Sequence, residues 1–296
     1  MVRKDVAATK LYIADAFTVQ KFSGNQAGIA LLEAGEPMPS DAFMQSLAAE
    51  LKHSETAFVL REDEHAFRIR YFTPEGEVDL CGHATIAAFT TLRDMDGLVP
   101  GVYTARTLAG DLNIEVSSNA VWMDMASPVE ARTFTVEEAA ELYAAYGLTG
   151  EAMPEHLLPK AVSTGLCDIL LPVKNLDLLN GAVQNEAAVT ELSKRYNVVG
   201  VHMFCPVLTT DATAHCRNFA PLYAIPEEAA TGTSNGALTY YLYCYGLIRP
   251  DGENRFVQGE KMGKPSEILS RLETDGKAVK IRVGGRAVLS MKLELL

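Results

Sequence analysis

Glu55 is the residue on which proton-transfer chemistry could most simply rest. It stands between Ser54 and Thr56, immediately ahead of the apolar run 57–60. A carboxylate at the mouth of an apolar strand is partly desolvated, which raises its pKa towards working pH and suits a general base. A solvated glutamate opening a strand has the same local sequence. His83 falls in the first turn of a helical run, where the positive end of the helix dipole favours a neutral imidazole able to donate a hydrogen bond or relay a proton. A capping or core histidine fits that position equally well. Cys81, at the same helix start, could act as a thiolate because a helix N-terminus lowers thiol pKa, or could be an inert buried thiol. Glu227 and Glu228 precede Thr231-Gly232-Thr233-Ser234. The hydroxyls of that stretch can meet a substrate or cap a helix, and the carboxylates can orient a partner or simply complement a helix dipole.

These residues belong to two copies of one pattern. Arg70, Phe72 and Pro74 recur as Arg217, Phe219 and Pro221, each 147 residues later. Each copy is an arginine-bearing strand, then a loop containing proline, then a glycine that opens a long apolar run of helical period (84–92 and 237–247). The spacing predicts two related domains, although strand–loop–helix units also occur without duplication. The start of each helix leaves backbone N–H groups unpaired at a positive dipole end, a potential anion site. If both starts face one cleft, the molecule they suit is small and acidic.

Composition narrows the classes. A chain of 296 residues holds one large domain or two of ordinary size, and 48% hydrophobic with 22% charged residues is ordinary for a globular protein. The net charge is −12, with no basic patch carrying interleaved aromatics, so nucleic acid is not expected as a partner. No segment reaches the roughly 18–20 apolar residues needed to span a bilayer, and the first ten residues have no apolar core of a secretory signal. The five cysteines are scattered and form no CxxC pair, which argues against a structural zinc site or a disulfide framework. A cytoplasmic protein with free thiols is the expectation. No HExxH, paired histidines or Asp-rich loop points to a metal, no GxSxG to a serine nucleophile, and no GxGxxG to a dinucleotide. Neither a cofactor nor a metal is expected.

The elements that must position these residues read as follows. Strands are expected at 11–17 and 29–32, separated by the turn-rich loop 22–28. Ser40 is a plausible N-cap for a helix with Phe43, Leu47 and Leu51 on one face, ending near His53. Strands at 57–60 and 67–72 flank a turn at 61–65. After the first motif helix come strands at 103–107, 112–116 and 121–125. Thr135 and Glu138 fit a capping box for a helix reaching Tyr146. Strands at 161–164 and 168–173, a helix at 186–196 and strands at 198–207 and 213–219 lead to the second motif helix. The chain closes with strands at 279–283 and 287–295, with Gly284-Gly285 read as a hairpin tip.

Several blocks carry a resemblance: Ala14-Asp15-Ala16-Phe17-Thr18 with Phe22-Ser23-Gly24-Asn25-Gln26-Ala27; His53-Ser54-Glu55-Thr56-Ala57-Phe58-Val59; Phe72-Thr73-Pro74 with Cys81-Gly82-His83-Ala84-Thr85; and the closing Val283-Gly284-Gly285-Arg286-Ala287. Together they resemble the phenazine-biosynthesis PhzF-like isomerase family over nearly the whole chain, about 11–295. The resemblance implies an α+β fold like that of diaminopimelate epimerases. That fold has two pseudo-symmetric domains, each a mostly antiparallel, barrel-like sheet around a central helix, with the active site in the cleft between. The domains would be 1–128, completed by the C-terminal strand at about 287–296, and 129–286.

Carried onto this chain, the resemblance makes Glu55 the catalytic glutamate that shuttles a proton between substrate carbons. It makes His83 and Gly82 site residues of the first domain. Glu228 stands where the family usually has Asp, Ala229 where it has Pro, and Thr233 where it has Ser, changes that reshape the pocket. Cys81 matches one thiol of the related epimerases, but no cysteine occurs at 229–233, which disfavours a two-thiol racemase. The expected activity is a cofactor-independent isomerase acting on a small carboxylate-bearing molecule. Glu55, His83 and Glu228 are the expected catalytic residues, and Ser54, Gly82, Gly232 and Thr233 the expected substrate-binding ones. A homodimer is the implied state, with neither nucleic acid nor membrane as partner. An amino-acid epimerase and a non-catalytic carboxylate-binding protein are the alternatives.

Overall fold

A computed structural model describes residues 9–33 and 35–295. The chain divides into two compact units. One contains the described residues through Asp124 together with those from Gly284 onward; the other is Met125–Val283. The fold is α+β and dominated by strands.

The first unit opens with β1 (Thr9–Ala16), β2 (Asn25–Leu32), α1 (Asp41–Leu51), β3 (Glu55–Arg61), β4 (Ala66–Phe72) and β5 (Glu77–Val78), followed by α2 (Gly82–Asp96), β6 (Gly101–Thr107), β7 (Gly110–Val116) and β8 (Val121–Asp124). Most neighbours are antiparallel, but β2 lies parallel to β3 and β4 to β6. Each of those parallel steps needs a helical crossover, which α1 and α2 supply. Every residue of α2 from His83 to Leu92 is buried. Its Ala84, Ala87 and Ala88 let the sheet approach closely. It packs on β1, β2, β3, β7 and β8, so it is the central helix of the unit. Two buried hydroxyls on it are satisfied locally: Thr85 Oγ1 lies 2.6 Å from Tyr71 Oη and donates to the Cys81 carbonyl, and Thr91 Oγ1 donates to the Ala87 carbonyl.

The second unit holds β9 (Val129–Thr133), α3 (Val136–Ala144), β10 (Lys160–Ser163), β11 (Cys167–Pro172), α4 (Leu176–Gly181), α5 (Glu186–Tyr196), β12 (Gly200–Pro206) and β13 (Ala214–Ala220), then β14 (Ile225–Glu228), α6 (Gly232–Cys244), β15 (Glu253–Gln258), β16 (Ser266–Thr274) and, through Val283, β17 (Val279–Gly285). It repeats the parallel steps, with β11 beside β12 and β13 beside β15. Helix α6 is buried from Gly232 through Thr239 and packs on β10, β11 and β16. A helix buried on every side needs no amphipathic stripe, and both central helices are of that kind. The last strand, β18 (Ala287–Leu293), returns to the first unit and pairs antiparallel with β1.

One arginine device recurs. Arg70 forms a bidentate pair with Glu77 while its guanidinium lies over the Phe72 ring; Arg217 does the same with Glu227 over Phe219. In both copies the pair ties the loop before the central helix to the strand that precedes it. The fork geometry makes these pairs directional as well as attractive.

Two sequence expectations change. Helix α6 ends at Cys244, not Leu247, because Tyr245 leaves helical geometry and Gly246 takes φ +68°. The Gly284-Gly285 hairpin does not form: both glycines lie in β17. A Cβ on Gly284 would meet the Trp122 indole at 2.4 Å. Glycine here serves close packing and not a turn. The short helix α4, capped by Asn175, was not anticipated.

Candidate active site

The parallel register of β2 and β3 puts Ala27 opposite Glu55, so the starts of both strands lie side by side. Gly24, at φ +68°, makes the turn into β2; a Cβ there would sit 2.2 Å from the Ala16 carbonyl. Asp15 accepts a hydrogen bond from the Phe22 amide at 2.8 Å and holds the same loop. Asn25 and Gln26 are thereby brought beside Ser54 and Glu55, and the first turn of α2 arrives at the same place.

His83 is the centre of this cluster and is almost wholly buried. Its Nε2 lies 3.3 Å from Ser54 Oγ and 3.3 Å from Glu55 Oε2. Its Nδ1 lies 3.3 Å from Asn25 Nδ2 and 3.3 Å from Cys81 Sγ. Burial lowers the pKa of His83, outweighing the neighbouring Glu55 carboxylate and the Gln26 backbone, which both raise it. The ring is therefore neutral. With Asn25 donating to Nδ1, an orientation assigned from the hydrogen-bond pattern, the ring proton sits on Nε2 and faces Ser54 and Glu55.

Glu55 is 17% exposed, and its Oε2 is buried without a hydrogen-bond partner. The 3.3 Å contact with His83 is thus electrostatic and lacks hydrogen-bond geometry. A carboxylate oxygen held in this way keeps its lone pair available for a proton. Glu55, Cys81 and His83 have ligand atoms within 4.8 Å of one another.

The starts of α2 and α6 are chemically distinct from those of the other four α-helices among the described residues. Ser40, Thr135, Asn175 and Asn185 each cap their helix through the side chain, and each of those helices has an acidic residue in its first turn. At α2 and α6 the N-cap residues Cys81 and Thr231 make no side-chain cap bond, and neither first turn is acidic. Neither an N-cap side chain nor a first-turn carboxylate compensates the leading N–H groups and positive dipole ends there.

In the second unit Glu228 accepts a hydrogen bond from Thr231 Oγ1 at 2.6 Å. Gln258 binds the Glu228 carbonyl, the Thr231 amide and the Thr231 hydroxyl. Asn235 donates to the Thr231 carbonyl and to Gln258. Thr233 is buried, and its carbonyl accepts from Thr164 Oγ1 at 2.9 Å. Below the helix start, Ser234 donates to Asp168 and accepts from Asn218, which also contacts His202 Nδ1 at 3.2 Å. Burial raises the pKa of Asp168 and pushes that of His202 down to about 3. This is a fully buried polar scaffold under the α6 start.

Within the first unit, Ser54, Glu55, Gly82 and His83 lie close together. Within the second, Glu228, Gly232 and Thr233 do. Sequence reasoning did not assign roles to Asn25, Gln258, Asn235 or Asp168. Asn25 stands in a recognised block and could have been found; nothing in the local sequence singles out Gln258. A separate surface cavity lined by Lys10, Glu33, Val59, Arg61 and Asp96 lies at the opposite ends of β2 and β3, and its Lys10 already pairs with Asp96.

Among curated relatives, an uncharacterized isomerase of Deinococcus radiodurans is 36% identical over 93% of this chain and 90% of its own length. The crystal structure of a phenazine biosynthesis protein of the PhzF family from Bacillus anthracis superposes with a TM-score of 0.85 at 28% identity, covering 98% of this chain and all of that one. A hydroxyproline epimerase from Agrobacterium vitis shares the fold alone, with a TM-score of 0.61 at 13% identity over 97% of this chain and 90% of its own. The family model described as phenazine biosynthesis-like protein matches residues 14–293, and the chain belongs to that PhzC–PhzF family.

Proposed function

We propose that the protein is an isomerase that moves a proton between carbons of a small carboxylate-bearing molecule, using Glu55 as the single proton carrier. The observation that carries this reading is the buried, unpartnered Oε2 of Glu55, 3.3 Å from a neutral His83 at an uncapped helix start. In the proposed reaction, Glu55 accepts a proton from an activated carbon and becomes a carboxylic acid. It then returns that proton to another carbon of the same molecule. His83, neutral throughout, directs Nε2–H at the carboxylate or at a substrate oxygen and steadies the charge that passes between them. The leading N–H groups of α2, including Gly82, and those of Gly232 and Thr233 are assigned to the substrate carboxylate and to the developing enolate-like charge. Ser54 is assigned to a polar group of the substrate. Glu228 is assigned an orienting role through its hydrogen bond with Thr231.

Support for one carrier also comes from the thiols. Cys81 and Thr231 are the N-caps of the corresponding helices. A reaction built on a matched pair of cysteines therefore has only one of them here. Relatives named as isomerases are consistent with this reading.

The test is a screen of small unsaturated and amino carboxylates incubated with the protein in heavy water and read by NMR. Deuterium entering a carbon position of one of them is the expected result. Tight binding across the panel without exchange at any carbon would contradict proton-transfer chemistry and leave a carboxylate-binding protein.

A further inference from the structure

We infer that Gln258 is a positioning residue for the proton-transfer reaction, acting through the Thr231 hydroxyl to fix the Glu228 carboxylate. The inference rests on the orienting role assigned to Glu228 in the proposed function. Gln258 ends β15, is wholly buried and turns both ends of its amide onto the loop that opens α6. Its Oε1 accepts from the Thr231 amide at 3.2 Å and from Asn235 Nδ2 at 2.9 Å. Its Nε2 donates to the Glu228 carbonyl at 2.8 Å and to Thr231 Oγ1 at 3.1 Å. A backbone N–H can only donate and a backbone carbonyl can only accept, so these partners fix which end of the amide is oxygen. Because Nε2 supplies a hydrogen to Thr231 Oγ1, the hydroxyl turns its own hydrogen to Glu228 Oε2. That contact is 2.6 Å, within the range of about 2.5–2.7 Å for a hydroxyl bound to a carboxylate. The direction of the chain, from Gln258 through Thr231 to Glu228, follows from the donors and acceptors alone.

A second observation sets this apart from an ordinary helix start. Threonine at an N-cap usually turns its hydroxyl to accept from a backbone N–H of the first turn, as Thr135 does for α3. Thr231 is the N-cap of α6 and makes no such bond. Its hydroxyl is engaged with Gln258 and Glu228 instead, and the side-chain cap is left unmade. Helix stability alone would favour the capping arrangement; the observed one serves the carboxylate. The backbone is built for the same contact. Gly259, at φ +79°, follows Gln258, and a Cβ there would lie 2.7 Å from the Ala229 carbonyl oxygen. Glycine at that point lets the end of β15 lie directly against the loop that carries Glu228.

The experiment compares Gln258→Met, Thr231→Val and Thr231→Ser with the parent, each checked for folding by circular dichroism. Should Gln258→Met fail to fold, Gln258→Glu takes its place, since it keeps an acceptor for the Thr231 amide and Asn235. In carbon-13 NMR the Glu228 carboxyl signal, identified by its absence from Glu228→Ala, should move in the Gln258 variant and in Thr231→Val. It should keep its place in Thr231→Ser. On the carboxylate found by the heavy-water screen, exchange by the Gln258 variant should fall about 10²-fold, the order for a misplaced group. Thr231→Ser should recover most of what Thr231→Val loses. Adding the Gln258 substitution to Glu228→Ala should lower exchange no further, because a residue that acts through Glu228 then has nothing left to position. A merely structural glutamine would lower exchange equally in both backgrounds. That additive result, an unmoved Glu228 signal in the Gln258 variant, or exchange by Glu228→Ala at the parent rate would overturn the inference. If Glu55→Gln abolishes exchange and the Gln258 and Glu228 substitutions are additive, this inference fails and the proposed function stands. If no carboxylate in the screen exchanges while the Glu228 signal moves as described, the coupling of Gln258 to Glu228 stands and the proposed reaction fails.

Discussion

Glu55 and Gly200 occupy corresponding places in the two repeats. Thr56 pairs with Phe72 and Val201 with Phe219, the aromatic residues that mark the same point in each copy. Glu55 is also the β3 partner of β2, as Gly200 is the β12 partner of β11. Where the first unit presents its carboxylate, the second has no side chain at all. A Cβ on Gly200 would lie 2.0 Å from the Phe219 carbonyl oxygen, so none can be added without moving the sheet. At this position one unit carries a carboxylate and the other leaves no room for one.

Gly200→Ala should accordingly destabilise the protein by about 1–3 kcal/mol or more, the range for forced overpacking. Gly76→Ala, where nothing lies within 4 Å of the added methyl, should stay within about 0.5 kcal/mol of the parent. Urea denaturation of the three proteins checks the contrast. Equal stabilities would mean that the close approach at Gly200 is not real.

Cys81→Ser should retain most of the exchange activity. The serine hydroxyl is compatible with the helix start, and the corresponding N-cap in the second unit is a threonine. Exchange rates on the substrate from the heavy-water screen measure this. A loss as deep as that of a Glu55 variant would return the chemistry to the thiol.

The buried His202 makes stability depend on acid. Burial holds its folded pKa near 3, below the 6.5 of a free imidazole. Between those values the unfolded chain binds a proton that the folded one does not, so stability is fully present above pH 6.5 and is lost as pH falls towards 3. His202→Gln should therefore show a shallower loss between pH 6.5 and 4.5 in urea denaturation. An unchanged slope would mean that His202 is not held neutral.

Local signals in the sequence were strong where the physics is local. Ser40 and the Thr135–Glu138 capping box start their helices as read, because capping depends on residues three apart. The grouping of Glu55 with His83 was legible only through recognised blocks, since it depends on β2 and β3 pairing in parallel. Gln258, which braces the α6 start from β15, has no local mark at all. Gly284-Gly285 misled because glycine signals both a turn and a close approach, and only the Trp122 ring decides between them.

The central claim is that Glu55 is the single proton carrier, and the most direct measurement is the rate of deuterium incorporation by Glu55→Gln against the parent on the same carboxylate. The amide keeps the shape and hydrogen-bonding reach of the side chain but has no basic oxygen. The account predicts a fall of about 10²- to 10⁴-fold with binding of the carboxylate preserved, and a smaller fall for His83→Ala. Exchange by Glu55→Gln at near the parent rate would contradict it.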